Sequence, residues 1–149
     1  MPDLHKVRYF VDEDLAGVGL GVMRLRNDVV VGGHEPVREL VPRKDEDWIP
    51  VVAARGWVAI TNDRHIRTRP HEATAAVVHK LSCVHLKPSG RDAVRWDFVR
   101  LLAAHWEAVE AMTTRDGPAW LAVSRNGTRH MEYQPGEPPR LPPADGTPL

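Results

Sequence analysis

Trp57-Val-Ala-Ile-Thr-Asn-Asp-Arg-His-Ile-Arg-Thr-Arg-Pro-His-Glu72 opens as an apolar, β-branched run of strand length that stops at Thr61-Asn62. A carboxylate, Asp63, follows at once, and three arginines, Arg64, Arg67 and Arg69, come behind it. In open α/β sheets ligands bind beyond the carboxyl ends of the strands, so Asp63 stands where such a fold does chemistry. The remaining question is which residues join it there.

Outward from this strand the chain alternates. Val7 to Val11 reads as a strand that ends in Asp12-Glu13-Asp14 and turns into a helix carrying Gly17, Gly19 and Gly21, each of which weakens it by about 1 kcal/mol relative to Ala. The glycines superficially resemble a dinucleotide fingerprint, but their spacing is wrong and the neighbouring carboxylates would repel a pyrophosphate. Asp28 to Val31 is a second strand and His34 to Lys44 a polar loop. Apolar spacing turns helical from Asp45, with Asp45-Glu46-Asp47 suited to the positive end of a helix. Pro50 fits that helix only if its effective start lies near Asp47. His71 to Lys80 is a short helix and Cys83 to Leu86 a strand. Ser89 and Asp92 form a capping box that opens a long amphipathic helix to about Met112. Trp120 to Ser124 and Thr128 to Tyr133 then make a hairpin around Arg125-Asn126-Gly127, where Asn-Gly calls for a primed turn. The order β-α-β-α-β-α-β-α plus hairpin implies an α/β fold with a mostly parallel sheet covered by helices. Residues 1–133 make one domain. Residues 134–149, with six prolines in sixteen positions, read as a disordered tail.

A chain of 149 residues with 20 basic and 20 acidic side chains has no global field to draw it onto nucleic acid or membrane, so electrostatic recognition must be local. One cysteine, Cys83, forms no internal disulfide. With no secretory signal and no apolar stretch long enough to span a bilayer, the expected compartment is the cytoplasm.

Connection rules place the first and third strands side by side or nearly so, and the Asp45 helix starts at the same sheet edge. Asp12, Asp63 and the acidic helix start Asp45-Glu46-Asp47 therefore converge. Gathered carboxylates repel one another unless protons or cations neutralise them, and hard divalent cations do so best. Asp14 and Glu46 individually read as solvated or capping residues.

Phe10-Val-Asp-Glu-Asp-Leu, Asp45-Glu-Asp-Trp and Ala59-Ile-Thr-Asn-Asp-Arg-His-Ile-Arg-Thr-Arg-Pro-His-Glu closely resemble successive blocks of the PIN-like proteins of bacterial toxin–antitoxin systems, the VapC-type toxins and their shorter relatives. The final helix and Gly117-Pro-Ala-Trp-Leu-Ala-Val-Ser-Arg resemble the C-terminal part of that subgroup. The resemblance covers roughly Val7 to Met131. It implies a three-layer α/β/α sandwich with a C-terminal long helix and hairpin, and a metal-dependent ribonuclease in which Asp12, Asp45 and Asp63 hold Mg²⁺ or Mn²⁺. Asp47 takes the place of Asp45 if the helix start is shifted. RNA and an antitoxin protein are the partners it implies, with no membrane, and exposed apolar positions on the long helix offer a face for a second copy of the chain or for the antitoxin. Position 62, often Lys in such relatives, is Asn here, and after Asp63 only Glu72 offers a fourth acid.

Arg64, Arg67 and Arg69 fit RNA backbone contact, because guanidinium forks bind phosphate oxygens bidentately. The plainer reading has them solvated or paired, Arg64 with Asp63 and Arg69 with Glu72. His65 is a proton shuttle or an idle surface residue. No histidine or cysteine spacing fits zinc, and Ser124 lacks a nucleophile elbow. The five tryptophans sit among apolar neighbours and read as core. Two rival functions stand: a PIN-like module that binds without cleaving, and a phospho-receiver, whose layout the Asp12, Asp63 and Lys87-Pro88 positions imitate without the extra βα unit it needs.

Overall fold

The structure, a computed structural model, describes residues 3–90 and 92–136. Six strands form one sheet: β1 (Tyr9–Val11), β2 (Val29–Val31), β3 (Val58–Thr61), β4 (Ser82–Lys87), β5 (Ala119–Ser124) and β6 (Gly127–Met131). Their order is β2-β1-β3-β4-β5-β6, with the first five parallel and β6 antiparallel to β5. Six helices accompany them: α1 (Ala16–Leu25), α2 (Asp45–Ala54), α3 (His65–Thr68), α4 (Pro70–His79), α5 (Arg95–Ala104) and α6 (Trp106–Ala111).

Alternation along the strands builds two cores. Phe10, Val30, Ala59, Cys83 and Trp120 face Trp48, Ile49 and Val52 of α2 and Ala73 and Ala76 of α4. Tyr9, Val11, Val58, Ile60, Val84 and Leu86 point the other way, onto Leu15, Val18 of α1, Leu101 and Leu102 of α5 and Val109 of α6. Because side chains alternate with a period of two, each three-residue strand serves both layers. The result is a three-layer α/β/α sandwich with a mostly parallel sheet.

Several local expectations are corrected. Helix α2 starts at Asp45 despite Pro50. The ring removes the bond that the Glu46 carbonyl would accept, and Glu46 lies on the exposed face, where that carbonyl meets water. The expected long helix is two: Ser89 and Asp92 do not start it, and α5 begins at Arg95, where the Asp97 carboxylate accepts from the Val94 N–H at 2.8 Å. His105, at φ −115° and ψ 21°, separates α5 from α6. Beyond that break the Trp106 ring lies 5.0 Å from Tyr9, with the Arg26 guanidinium 4.5 Å above it. In the hairpin Ser124 pairs with Gly127, so Arg125 and Asn126 are the central turn residues. Gly127 has φ +122° and Asn126 is not at positive φ, which is not the expected primed turn. The short helix α3 was not expected at all.

The tail expected to be disordered from residue 134 lies, beyond Gly136, outside the described residues. Within them, the Gln134 N–H donates to the Arg67 carbonyl at 2.8 Å.

Candidate active site

The strand order reverses between β1 and β3, and in open α/β sheets the crevice at such a point is where ligands bind. Tyr9, Phe10 and Val11 pair with Val58, Ala59 and Ile60, so Asp12 leaves β1 directly beside Thr61 at the end of β3. The Asp12 N–H donates to the Ile60 carbonyl at 2.8 Å, which continues the ladder and fixes the aspartate's backbone. A 3₁₀ turn over Glu13–Leu15 then swings Asp14 back toward β3.

Thr61 is the centre of this contact. Its fully buried hydroxyl lies 2.9 Å from Asp12 Oδ2 and 3.3 Å from Asp14 Oδ2, and it accepts from the Asp63 N–H at 2.9 Å. The next residue ties three segments together. The Asn62 N–H donates to Asp14 Oδ2 at 3.1 Å, its Nδ2 donates to the Leu86 carbonyl of β4 at 2.8 Å, and its own carbonyl lies 3.1 Å from His85 Nε2. Asn62 thus joins the segment after β1, the end of β3 and the end of β4 through fixed backbone and amide bonds.

The acids act on one another's protonation. Burial, then the charges of Asp14 and Asp45, push the Asp12 carboxyl up to about 7, against the opposing bond from Thr61. The Asp14 residue is exposed, yet its carboxyl head is set in against Thr61 and Asn62. Loss of water around that head, with the charges of Asp63 and Asp45, raises it to about 6. Half-buried Asp45 is also raised, chiefly by burial and then by Asp63 and Glu72, while its bond from Trp48 Nε1 at 2.9 Å and the charge of Arg69 oppose the rise. Asp63 Oδ1 accepts from the His65 N–H at 2.9 Å and lies 3.1 Å from the His65 ring nitrogen Nδ1.

Asp12, Asp14, Asp45 and Asp63 therefore stand together at the crevice, with Glu72 of α4 within electrostatic reach. Asp47 and Glu46 are exposed on the first turn of α2, while Asp45 is the residue of that turn that faces the cluster. Arg64 and Arg69 are exposed, and among the described residues neither lies within 4 Å of a carboxylate. Arg67 is turned away, its Nη1 donating to the Glu132 carbonyl at 3.0 Å. Asp14, Thr61 and His85 were not singled out as site residues in the sequence. A threonine closing the strand just before Asn62-Asp63 is the one signal that could have marked Thr61.

The donor set suits a hard ion. It is all oxygen, burial and then neighbouring charge raise the proton affinity of Asp12, Asp14 and Asp45, and Asp14, Asp45 and Asp63 each engage one oxygen with protein donors while the other accepts no hydrogen bond among the described residues. The set is also open: among the described residues no three His, Cys, Asp or Glu side chains meet at ligating distance. Mg²⁺ tolerates such an arrangement, since it takes one or two carboxylates and completes its shell with water and phosphate. Soft-metal and thiolate chemistry does not fit, because Cys83 is fully buried and burial pushes its thiol well up. Lys87 ends β4, the direct neighbour of β3, so the βα unit that a phospho-receiver would insert is not there.

Residues 7–88 match the family described as PIN like domain. No curated protein and no solved structure gives a significant match to the chain. Among the described residues no helix is long and apolar enough to cross a membrane.

Proposed function

The chain belongs to the PIN-like domain family, and on that premise we propose that it is a metal-dependent ribonuclease acting as the toxin of a type II toxin–antitoxin system. Nuclease activity and the use of divalent metals are common among PIN-like domains. The observation that carries the reading is the convergence of Asp12, Asp45 and Asp63, with Asp14, at the β1/β3 crevice, where burial and neighbouring charge raise the proton affinities of Asp12, Asp14 and Asp45.

Asp12, Asp45 and Asp63 would hold Mg²⁺ or Mn²⁺. When bound, such an ion polarises the scissile phosphate and lowers the pKa of a coordinated water. The protein's own groups do the rest. Thr61 and Asn62 orient Asp12, Asp14 and Asp63 by fixed hydrogen bonds, so little reorganisation is needed on binding. Arg64 and Arg69, exposed beside the acids, offer guanidinium forks to the RNA backbone. His65, in contact with Asp63, can carry a proton between the site and solvent.

The test is RNA cleavage by the purified protein in Mg²⁺ or Mn²⁺, its loss with chelator, and its loss in Asp63→Asn. Chelator-resistant cleavage, or an Asp63→Asn variant as active as the parent, overturns the reading. A toxin role further requires that expression arrests growth and that Asp63→Asn does not. The open spacing of the carboxylates favours one second reading, a PIN-like module that binds RNA or protein without cutting. RNA retention with no cleavage in either metal would decide for it.

A further inference from the structure

The carboxyl edge of the sheet does not end at the acids. Because β1, β3, β4 and β5 are parallel neighbours, Asp12, Asp63, Lys87 and Ser124 leave the same edge in that spatial order. With strands about 4.8 Å apart, the end of β5 lies roughly 10 Å along that edge from the end of β3. There a cavity of about 530 Å³ opens between α5, the segment after β4 and the hairpin turn. Leu101 and Ala104 give it an apolar floor, and Ser89, Arg100, His105 and Arg125 supply its polar groups.

Two arginines, Arg100 and Arg125, outnumber one acid in its lining. Asp97 is the acid that lines it, and that carboxylate is engaged by the Val94 N–H. Two arginines elsewhere are paired with acids: Arg26 grips Asp28 through two bonds, at 2.9 and 2.8 Å, and Arg43 pairs with Glu13. Among the described residues, Lys87, Arg95, Arg100 and Arg125 have no carboxylate within 4 Å. Arg95 marks the way between cavity and acids. Its guanidinium lies over Gly17, at the start of α1, where a Cβ would come within 2.7 Å of Arg95 Cδ and Cζ. One helical turn before Arg100, Trp96 is 66% exposed, the one tryptophan that the sequence reading wrongly assigned to the core.

We propose that this cavity is a second phosphate subsite for a single-stranded RNA, in which Arg100 and Arg125 hold a backbone phosphate and Trp96 stacks a base, with the strand running past Arg95 and Lys87 to the acids. Its ligand class rests on the ribonuclease reading. Guanidinium pairs on a concave floor hold phosphate bidentately, and an exposed indole offers a sequence-tolerant stacking face.

The test uses the full chain carrying Asp63→Asn, a fluorescein-labelled single-stranded RNA and Mg²⁺, with anisotropy read across a salt series. Adding Arg100→Ala and Arg125→Ala should weaken binding roughly tenfold or more, and each lost phosphate contact should lower the slope of log affinity against log salt by about 0.7. Trp96→Ala should weaken binding with little change in that slope. Arg100→Lys with Arg125→Lys should restore part of the affinity, which a folding defect would not allow. Unchanged affinity in the double alanine variant, or no RNA binding at low salt, overturns the subsite. The two readings fail separately. Cleavage by the parent and by Arg100→Ala/Arg125→Ala at the same KM removes the subsite and leaves the nuclease. RNA bound through the cavity by a parent that never cuts removes the nuclease and leaves the subsite.

Discussion

Thr61 places its hydroxyl 2.9 Å from Asp12 Oδ2, and this bond, with one from the Glu13 backbone, opposes the rise that burial and Asp14 impose on that carboxyl. Thr61→Val keeps the shape and removes the donor. Without it the Asp12 carboxyl rises further, and the Asp63 N–H loses its acceptor. Metal-dependent cleavage should fall about 10- to 100-fold, the usual cost of losing a group that orients a metal ligand. Titration of Mn²⁺ against activity would show the loss as weaker metal affinity.

Metal-free stability should decline as pH rises. Asp12 takes a proton at about 3.8 when unfolded and at about 7 when folded, so between those values the folded state holds a proton that the unfolded state has released. Stability is then fully present below about pH 4, falls as pH rises to about 7, and is flat above it. Asp14, raised to about 6, adds to the fall in the lower part of that window. In chelator the melting temperature should drop by several degrees from pH 5 to pH 8. Asp12→Asn should flatten that slope, and Mg²⁺ at pH 8 should restore the parent, since a cation then neutralises what the proton did. A melting temperature that climbs over this range would show that the folded state does not hold the Asp12 proton more tightly than the unfolded chain.

The first turn of α2 discriminates between its acids. Asp45 is raised by Asp63 and bonded to Trp48, whereas Asp47 is exposed. Asp45→Asn should lower cleavage at least about tenfold, and Asp47→Asn should leave it within about twofold, as expected of a surface change. The opposite ranking would move the ligand to Asp47.

The glycines of α1 separate by what surrounds them. Nothing lies within 4 Å of a Cβ built on Gly21, so Gly21→Ala should stabilise the protein by up to about 1 kcal/mol through helix propensity. A Cβ on Gly19 would stand 2.7 Å from Val31 Cγ2 and 2.9 Å from Val11 Cβ. Gly19→Ala should therefore destabilise by about 1–3 kcal/mol through overpacking. Thermal melts of the two variants read both effects.

The architecture was legible because the strands are short apolar runs ending in charge, and because the alternation of strand and helix leaves a parallel sheet few topologies. The neighbouring of Asp12 and Asp63 followed from the same rules. What stayed hidden depends on contacts that no local pattern encodes. The Val94 start of α5 rests on Asp97 three residues on, in a stretch where Ser89 and Asp92 offered a better match to a capping box. The break at His105 has neither proline nor glycine, and lies beside the packing of Trp106 on Tyr9 and Arg26. Asp14 read as solvated because its approach to Thr61 and Asn62 needs the 3₁₀ turn that folds it back. Trp96 looked like core from its apolar neighbours, yet the helix turns it to solvent.

The two borders of the sheet differ from its middle in a way that bears on how copies of the chain can meet. An open strand edge is a template for another chain, and proteins blunt it by keeping the strand short or placing charge on it. Here β2 is three residues long, and β6 ends the other side with Thr128, Arg129 and His130 exposed. Extension of the sheet from one molecule into the next is disfavoured at both borders. Strand addition, the usual route by which sheets aggregate, is thus opposed at β2 by its length and at β6 by its exposed arginine and histidine.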